Sequence, residues 1–250
     1  MIVIKSKSEI EKMREAGHIL ASCHKELAAF IKPGITTLDI DRFVEKFLAE
    51  HHATPEQKGY NGFPFATCTS INDVICHGFP SDYVLKDGDI LTVDMVVRLG
   101  DWLADSAWSY AIGNISAKAQ KLLKVTEESL YRGIAQAVVG NRIGDISHAI
   151  QSYAEAEGFS VVKEFVGHGI GQDMHEEPQV PHYGLPGKGV RLKEGMVITI
   201  EPMLNVGGWQ SKLDSDGWTA RTKDGSLSAQ YEHTLAITSE GPLILTQLRS

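Results

Sequence analysis

Cysteine, basic charge and long apolar runs are all in short supply in this sequence. Its 250 residues contain three cysteines, Cys23, Cys68 and Cys76, with no Cys-x-x-Cys spacing. An odd, scattered set of thiols builds no disulfide framework and fits a reducing compartment. Lys and Arg number 24 against 32 Asp and Glu, a formal net charge of −8. That balance argues against a nucleic-acid binder that works by neutralising phosphates. No apolar run approaches the ~20 residues of a membrane span. The opening Met1-Ile2-Val3-Ile4 meets charge too soon to be a signal peptide. These absences predict a soluble, cytoplasmic chain.

Several catalytic signatures are missing as well. His175-Glu176-Glu177-Pro178-Gln179 is not HExxH, since Gln stands at its end and Pro178 breaks the helix that motif needs. Gly167-His168-Gly169-Ile170-Gly171 is not the dinucleotide fingerprint, and Gly184-Leu185-Pro186-Gly187-Lys188-Gly189 lacks P-loop spacing. No GxSxG occurs.

What remains is an ordinary globular composition, 42% apolar and 22% charged, read as a single domain over 1–250. A capping box at Ser8-Glu9-Ile10-Glu11 predicts a helix with Ile10, Met13, Gly17, Leu20, His24, Leu27 and Ile31 on one face, stopped by Lys32-Pro33-Gly34. A second helix is expected from Thr36-Thr37-Leu38-Asp39 through His51, and two more over Ala117–Val138 and Asp145–Glu157. Alternating runs Ile90–Arg98 and Trp102–Ala111 read as a hairpin. Further strands are expected near Thr67–Ile71, Val161–Val166, Met196–Leu204 and Gln230–Thr238.

An internal repeat runs through this order. Leu85-Lys86-Asp87-Gly88-Asp89-Ile90-Leu91-Thr92-Val93-Asp94 matches Leu192-Lys193-Glu194-Gly195-Met196-Val197-Ile198-Thr199-Ile200-Glu201 at an offset of 107. At 106, Gly34 falls on Gly140, Asp39 on Asp145 and Ile40 on Ile146. Each half, about 1–113 and 114–250, reads helix, helix, turn, strand, with a carboxylate at the strand's end. A pseudo-twofold would bring Asp94 and Glu201 together in an α+β domain.

Acids are disfavoured in strands, yet Asp94, Asp105, Glu201 and Glu232 each interrupt an apolar strand-like run. With the hairpin turning about Leu99-Gly100, Asp94 lies directly opposite Asp105, Cβ atoms ~5 Å apart, where like charges repel. Two divalent cations neutralise four carboxylates. An added imidazole favours Mn, Fe, Co or Zn over Ca. His168, between glycines that permit close approach, is the best candidate.

Cys76-His77-Gly78, the Asp94/Asp105 pair, Gly167–Gly171, His175-Glu176-Glu177-Pro178, Ile200-Glu201-Pro202 and Ser228–Thr234 together resemble, in order and spacing, the bacterial type I methionine aminopeptidases. The resemblance covers essentially the whole chain. It implies the pita-bread fold, two pseudo-twofold-related halves forming a central curved, mainly antiparallel sheet with helices on its outer face. It implies a dinuclear site with Asp94, Asp105, His168, Glu201 and Glu232 as ligands to two divalent ions (Co, Mn, Fe or Zn). It implies excision of the initiator methionine from nascent polypeptides by metal-bridged hydroxide, Glu201 acting as general base and the α-amine bound near Asp94. His175 would steady the oxyanion and His77 would contact the substrate backbone. Tyr60, Phe63, Cys68, Met174 and Trp218 would wall the methionine pocket. His18, His24, His148, His182 and His233 are left as structural or surface groups. The family often has an aromatic at position 174, tyrosine at 63 and threonine at 96, where this chain has Met174, Phe63 and Val96. Val96 removes a hydroxyl near the metals and Met174 softens a wall. A monomer is expected, with ribosome association following from the substrate. The alternatives are an X-Pro aminopeptidase or creatinase-like hydrolase of the same fold, or a non-catalytic binding module. The former usually carry an added N-terminal domain, for which a helix starting near Ser8 leaves no room.

Overall fold

Ser6, rather than Ser8, opens the first helix. The sequence holds overlapping Ser-x-x-Glu patterns, and in the computed structural model, which describes residues 1–248, α1 spans Lys7–Phe30. Ser6 N–H donates to Glu9 Oε2 at 2.7 Å, and Glu9 N–H donates to Ser6 Oγ at 3.4 Å. Lys5 N–H is already committed to the Gly195 carbonyl at 2.7 Å, so the extended lead-in ends there and the cap follows at once. Helix α2 (Thr37–Glu50) starts where expected, Thr36 and Asp39 closing its capping box. Helix α3 (Ala117–Ala135) ends before Val138, and the chain turns through Gly140 at φ +95°. Helix α4 (Ile143–Ala156) begins two residues ahead of Asp145, because the Asp145 carboxylate accepts the Arg142 N–H from inside the first turn.

The two halves repeat one another bond for bond at their entry turns. Gly34 N–H donates to Leu85 O at 2.9 Å, and Gly140 N–H donates to Leu192 O at 3.1 Å. Leu85 N–H returns to Ile35 O, and Leu192 N–H to Asn141 O, both at 2.8 Å. Gly34 and Gly140 share a φ near +95°, which a side chain would resist.

Strand Ile90–Leu99 pairs with Trp102–Ala111 on one edge and with Cys68–Ile71 on the other. The hairpin turns at Gly100-Asp101, with Leu99 opposite Trp102. Asp94 therefore faces Ala107, and Asp105 faces Val96, which corrects the expected register by two residues. A slip of two preserves the face, so the aspartates remain diagonal neighbours on one side of the sheet. In the second half, Val197–Ile200 lies between His233–Thr238 and Gly167–Gly169. The expected strand over 161–166 shrinks to Ser160–Val161.

The expected strands over 196–204 and 230–238 are each broken in two. Val197–Ile200 and His233–Thr238 share a five-stranded sheet, whereas Met203–Asn205 and Ser228–Gln230 share a three-stranded one. Ile200 faces His233 and Met203 faces Gln230, so the register runs unbroken and Glu201 stands level with Glu232 at the gap. Pro202 has no N–H to donate, which opens the ladder there. Glu201 and Glu232 thus occupy a paired strand break and are not embedded in continuous strands. All strand pairings among the described residues are antiparallel.

Each half buries its own core. Leu20, Leu27, Ile40, Val44 and Leu48 of α1 and α2 pack against Leu91, Val93, Met95 and Val97. Leu122, Leu130, Ile146 and Ile150 of α3 and α4 pack against Ile198, Ile200, Leu204 and Leu235. Among the described residues, no helix is long and apolar enough to cross a membrane.

Candidate metal centre

The strand break and the hairpin converge on one cavity of about 340 Å³. Asp94, Asp105, His168, Glu201 and Glu232 line it, together with His77, His175, Tyr60, Phe63, Cys68, Met174 and Trp218. All twelve residues that the sequence nominates are brought together there. Asp105 and Glu232 are 6% and 1% exposed.

Ligand-capable atoms of Asp105, His168 and Glu232 lie within 4.8 Å of one another. His168 Nε2 is 3.7 Å from Asp105 Oδ2 and 3.7 Å from Glu201 Oε1. Its Nδ1 is 2.9 Å from the Gly169 carbonyl, which orients Nε2 toward the carboxylates. The flanking glycines accommodate backbone. A Cβ on Gly167 would sit 2.5 Å from Thr199 O, and one on Gly169 2.3 Å from Glu177 O.

Burial, then the neighbouring carboxylates, hold Asp105, Glu201 and Glu232 well above the usual carboxylate range. Burial pushes Asp94 up to about 7. Burial lowers His168 to about 4, so its imidazole is neutral near pH 7 and free to ligate. Asp94 Oδ1, Asp105 Oδ1 and Glu232 Oε1 are buried with no hydrogen-bond donor. Buried oxygens seldom go unpartnered, and hard cations satisfy several at once. The donor set therefore fits divalent cations.

Beside the carboxylates, the walls turn aromatic. Phe63 meets Trp218 edge-on with centroids 5.2 Å apart, and Trp218 meets His77 at 6.2 Å. His77 adopts φ +57°, a strained setting for a non-glycine residue. His175 sits 4.4 Å from His168, centroid to centroid, and its Nδ1 is 2.8 Å from the Tyr60 hydroxyl. Val96 and Met174 line the same cavity.

Sequence reasoning missed several groups. Gln57 lines the cavity, its Oε1 accepting Val96 N–H at 3.1 Å and its Nε2 donating to Cys68 Sγ at 3.3 Å. Gln230 Nε2 donates to Glu201 Oε2 at 3.3 Å. His182, fully buried, accepts the Glu201 N–H on Nε2 at 3.1 Å. Thr199 Oγ1 donates to Glu201 Oε1 at 2.9 Å. A signal for Thr199 was present, since the repeat places a threonine two residues before each acid.

Comparison with known proteins agrees with this geometry. The model of metallopeptidase family M24 matches residues 11–239. Methionine aminopeptidase 1 of Bacillus subtilis (strain 168) is 53% identical over 248 residues, covering 99% of this chain and 100% of the relative. The crystal structure of methionine aminopeptidase from Rickettsia prowazekii superposes with a TM-score of 0.97 at 42% identity, covering 98% of this chain and 100% of that one. An X-Pro aminopeptidase from Thermotoga maritima superposes with a TM-score of 0.76 at 22% identity, but this chain covers 63% of it, and the likeness shows the fold alone. The fold is the α+β pita-bread arrangement, and divalent-metal dependence comes with the family. The chain belongs to metallopeptidase family M24 and, within it, to the bacterial methionine aminopeptidases.

Proposed function

We propose that this cavity removes the N-terminal methionine from nascent polypeptides and peptides, with Asp94, Asp105, His168, Glu201 and Glu232 holding two divalent ions. The observation that carries the reading is a set of buried, donor-less carboxylate oxygens at the end of an aromatic-walled cavity. Divalent ions held there would supply an acidified water and positive charge for a scissile carbonyl. Mn, Fe, Co and Zn all suit this oxygen-rich set with one imidazole.

Glu201, steadied by Thr199 and Gln230, takes a proton from the attacking water and returns it to the departing amine. Donation from the Tyr60 hydroxyl to His175 Nδ1, 2.8 Å away, would leave the ring's own proton on Nε2. That N–H stabilises the oxyanion of the tetrahedral intermediate. His77 contacts the substrate backbone. Tyr60, Phe63, Cys68, Met174 and Trp218 exclude water from the methionine side chain. A free α-amine is the substrate group that an ion held near Asp94 would bind, which would make the enzyme an exopeptidase.

We place this activity in the cytoplasm, in a monomer of one domain built from two related halves, with association at the ribosome following from a nascent-chain substrate. Turnover of a Met-Ala peptide and an Ala-Pro peptide tests the reading. Cleavage of Met-Ala, lost in Glu201→Gln, is expected. Preferential cleavage of Ala-Pro would favour an X-Pro aminopeptidase instead.

A further inference from the structure

At the seam between the two halves, side-chain hydroxyls bond across beside a backbone bond from Glu232 N–H to Ala107 O at 2.8 Å. Thr199 and Thr234 face each other across one strand pair, and Thr92 and Ser109 face each other across the other. Each pair stands two residues from a carboxylate on its leading strand, Glu201 in one case and Asp94 in the other.

The bonds are duplicated too. Asp105 N–H donates to Thr234 Oγ1 at 3.0 Å, and Thr234 Oγ1 donates back to Asp105 O at 2.8 Å. In the same pattern, Gln230 N–H donates to Ser109 Oγ at 3.2 Å, and Ser109 Oγ donates back to Gln230 O at 2.8 Å. Each hydroxyl therefore clamps both backbone groups of one residue in the opposite half. Thr92 Oγ1 lies 2.7 Å from Ser109 Oγ, whose own proton is spent on Gln230. Thr199 Oγ1 accepts the His168 N–H at 3.0 Å and donates to Glu201 Oε1 at 2.9 Å. Thr199 and Thr234 are fully buried, so water is no substitute for either bond.

We infer that these paired hydroxyls are positioning residues for the cation site. Thr234 fixes Asp105, Thr199 fixes His168 and Glu201 together, and Ser109 fixes Gln230, whose amide reaches Glu201. The inference rests on the ligand set proposed above. A ligand cluster drawn from both halves needs its halves held at one separation. The Thr234 and Ser109 clamps cross the seam and set it, while Thr199 fixes His168 and Glu201 to each other within the second half. Groups behind metal ligands commonly govern affinity by ~10- to 100-fold.

The test is titration of metal-stripped protein with Co²⁺, followed by its visible absorption, in wild type, His168→Ala, Thr199→Val, Thr199→Ser, Thr234→Val and Thr234→Ser. Valine keeps the branched shape and loses the hydroxyl, whereas serine keeps the hydroxyl. Weakening of Co²⁺ binding by ~10- to 100-fold in both valine variants, with an altered absorption band, is expected. Both serine variants should restore wild-type affinity. Thr199→Ala and Thr234→Ala read the same loss should a valine variant fail to fold. If wild type and His168→Ala differ but the valine variants bind as wild type does, the clamp is overturned. If wild type binds no Co²⁺, or His168→Ala binds equally well, the ligand set itself is overturned.

Discussion

The Lys5 ammonium is buried against the Glu176 carboxylate, one residue along the chain from His175. Their side chains are 2% and 11% exposed, so the pair ties the lead-in to α1 directly to the loop that carries a proposed oxyanion donor. Breaking a buried pair leaves one charge uncompensated, which costs about 3 kcal/mol or more. Lys5→Met should lower the urea midpoint accordingly and reduce turnover by displacing His175. Adding Glu176→Gln to Lys5→Met should recover most of the stability. A single variant as stable as wild type would show that the pair does nothing for the loop.

The pH dependence of stripped protein follows from the buried carboxylates. Asp94 has its pKa raised in the folded state, from an ordinary 3.8 to about 7, and Asp105, Glu201 and Glu232 are raised with it. Such groups contribute stability that is full below the ordinary carboxyl range and is lost as pH rises through the folded value. Buried histidines act in the opposite sense. His24 and His182 are lowered to about 3, and His77, His168 and His233 to about 4, from 6.5, chiefly by burial. Their contribution is present above pH 6.5 and lost on acidification, so between pH 6.5 and 8.5 the carboxylates set the slope. Near the upper end of that window they are joined by the thiols of Cys23, Cys68 and Cys76, which burial also raises and which act in the same direction. Tm of the stripped protein should fall across that window, and saturating Mn²⁺ should remove the slope. A flat or rising Tm without metal would contradict the raised carboxylates.

Gly169 is a packing requirement on the strand that delivers His168. Its φ is ordinary, but a methyl there would press on the Glu177 carbonyl. Overpacking of this kind costs ~1–3 kcal/mol. Gly169→Ala should therefore destabilise the fold by that amount and move His168 enough to weaken Mn²⁺ binding in calorimetry. A stable variant with unchanged binding would mean that the strand gives way easily.

Selectivity for methionine is assigned to the aromatic wall. Trp218→Ala should remove the edge contact with Phe63 and lower kcat/KM for a Met-Ala peptide at least about tenfold, the scale at which apolar pockets discriminate. Mn²⁺ affinity should stay as it was, since the ring packs edge-on against Phe63 and His77, neither of them a proposed ligand. Equal loss on substrates with any N-terminal side chain would take Trp218 out of the pocket.

Much of this arrangement was legible in the residues. The repeat, the hairpin, the four acids and His168 follow from pattern and charge, because an acid set in an apolar run demands a compensating charge, although only Asp94 and Asp105 of the four lie within strands. The hairpin register did not follow, since Leu99-Gly100-Asp101 permits more than one turn and only packing decides between them. The strand break at Glu201 was signalled by Pro202, but its partner break at Tyr231-Glu232 was not, since nothing local there forbids a ladder. Thr199 showed only through the repeat, and Thr234 and His182 were invisible for a different reason. A buried hydroxyl or imidazole looks like ordinary core until the backbone group it serves is known.

The proposed centre is tested most directly by calorimetric titration of Mn²⁺ into stripped protein, run beside Met-Ala peptide turnover at each metal ratio. Two ions per chain, with turnover rising as they bind and both lost in Asp105→Asn, are the predicted result. Turnover that persists in stripped protein, or Mn²⁺ binding that survives Asp105→Asn unchanged, would contradict it.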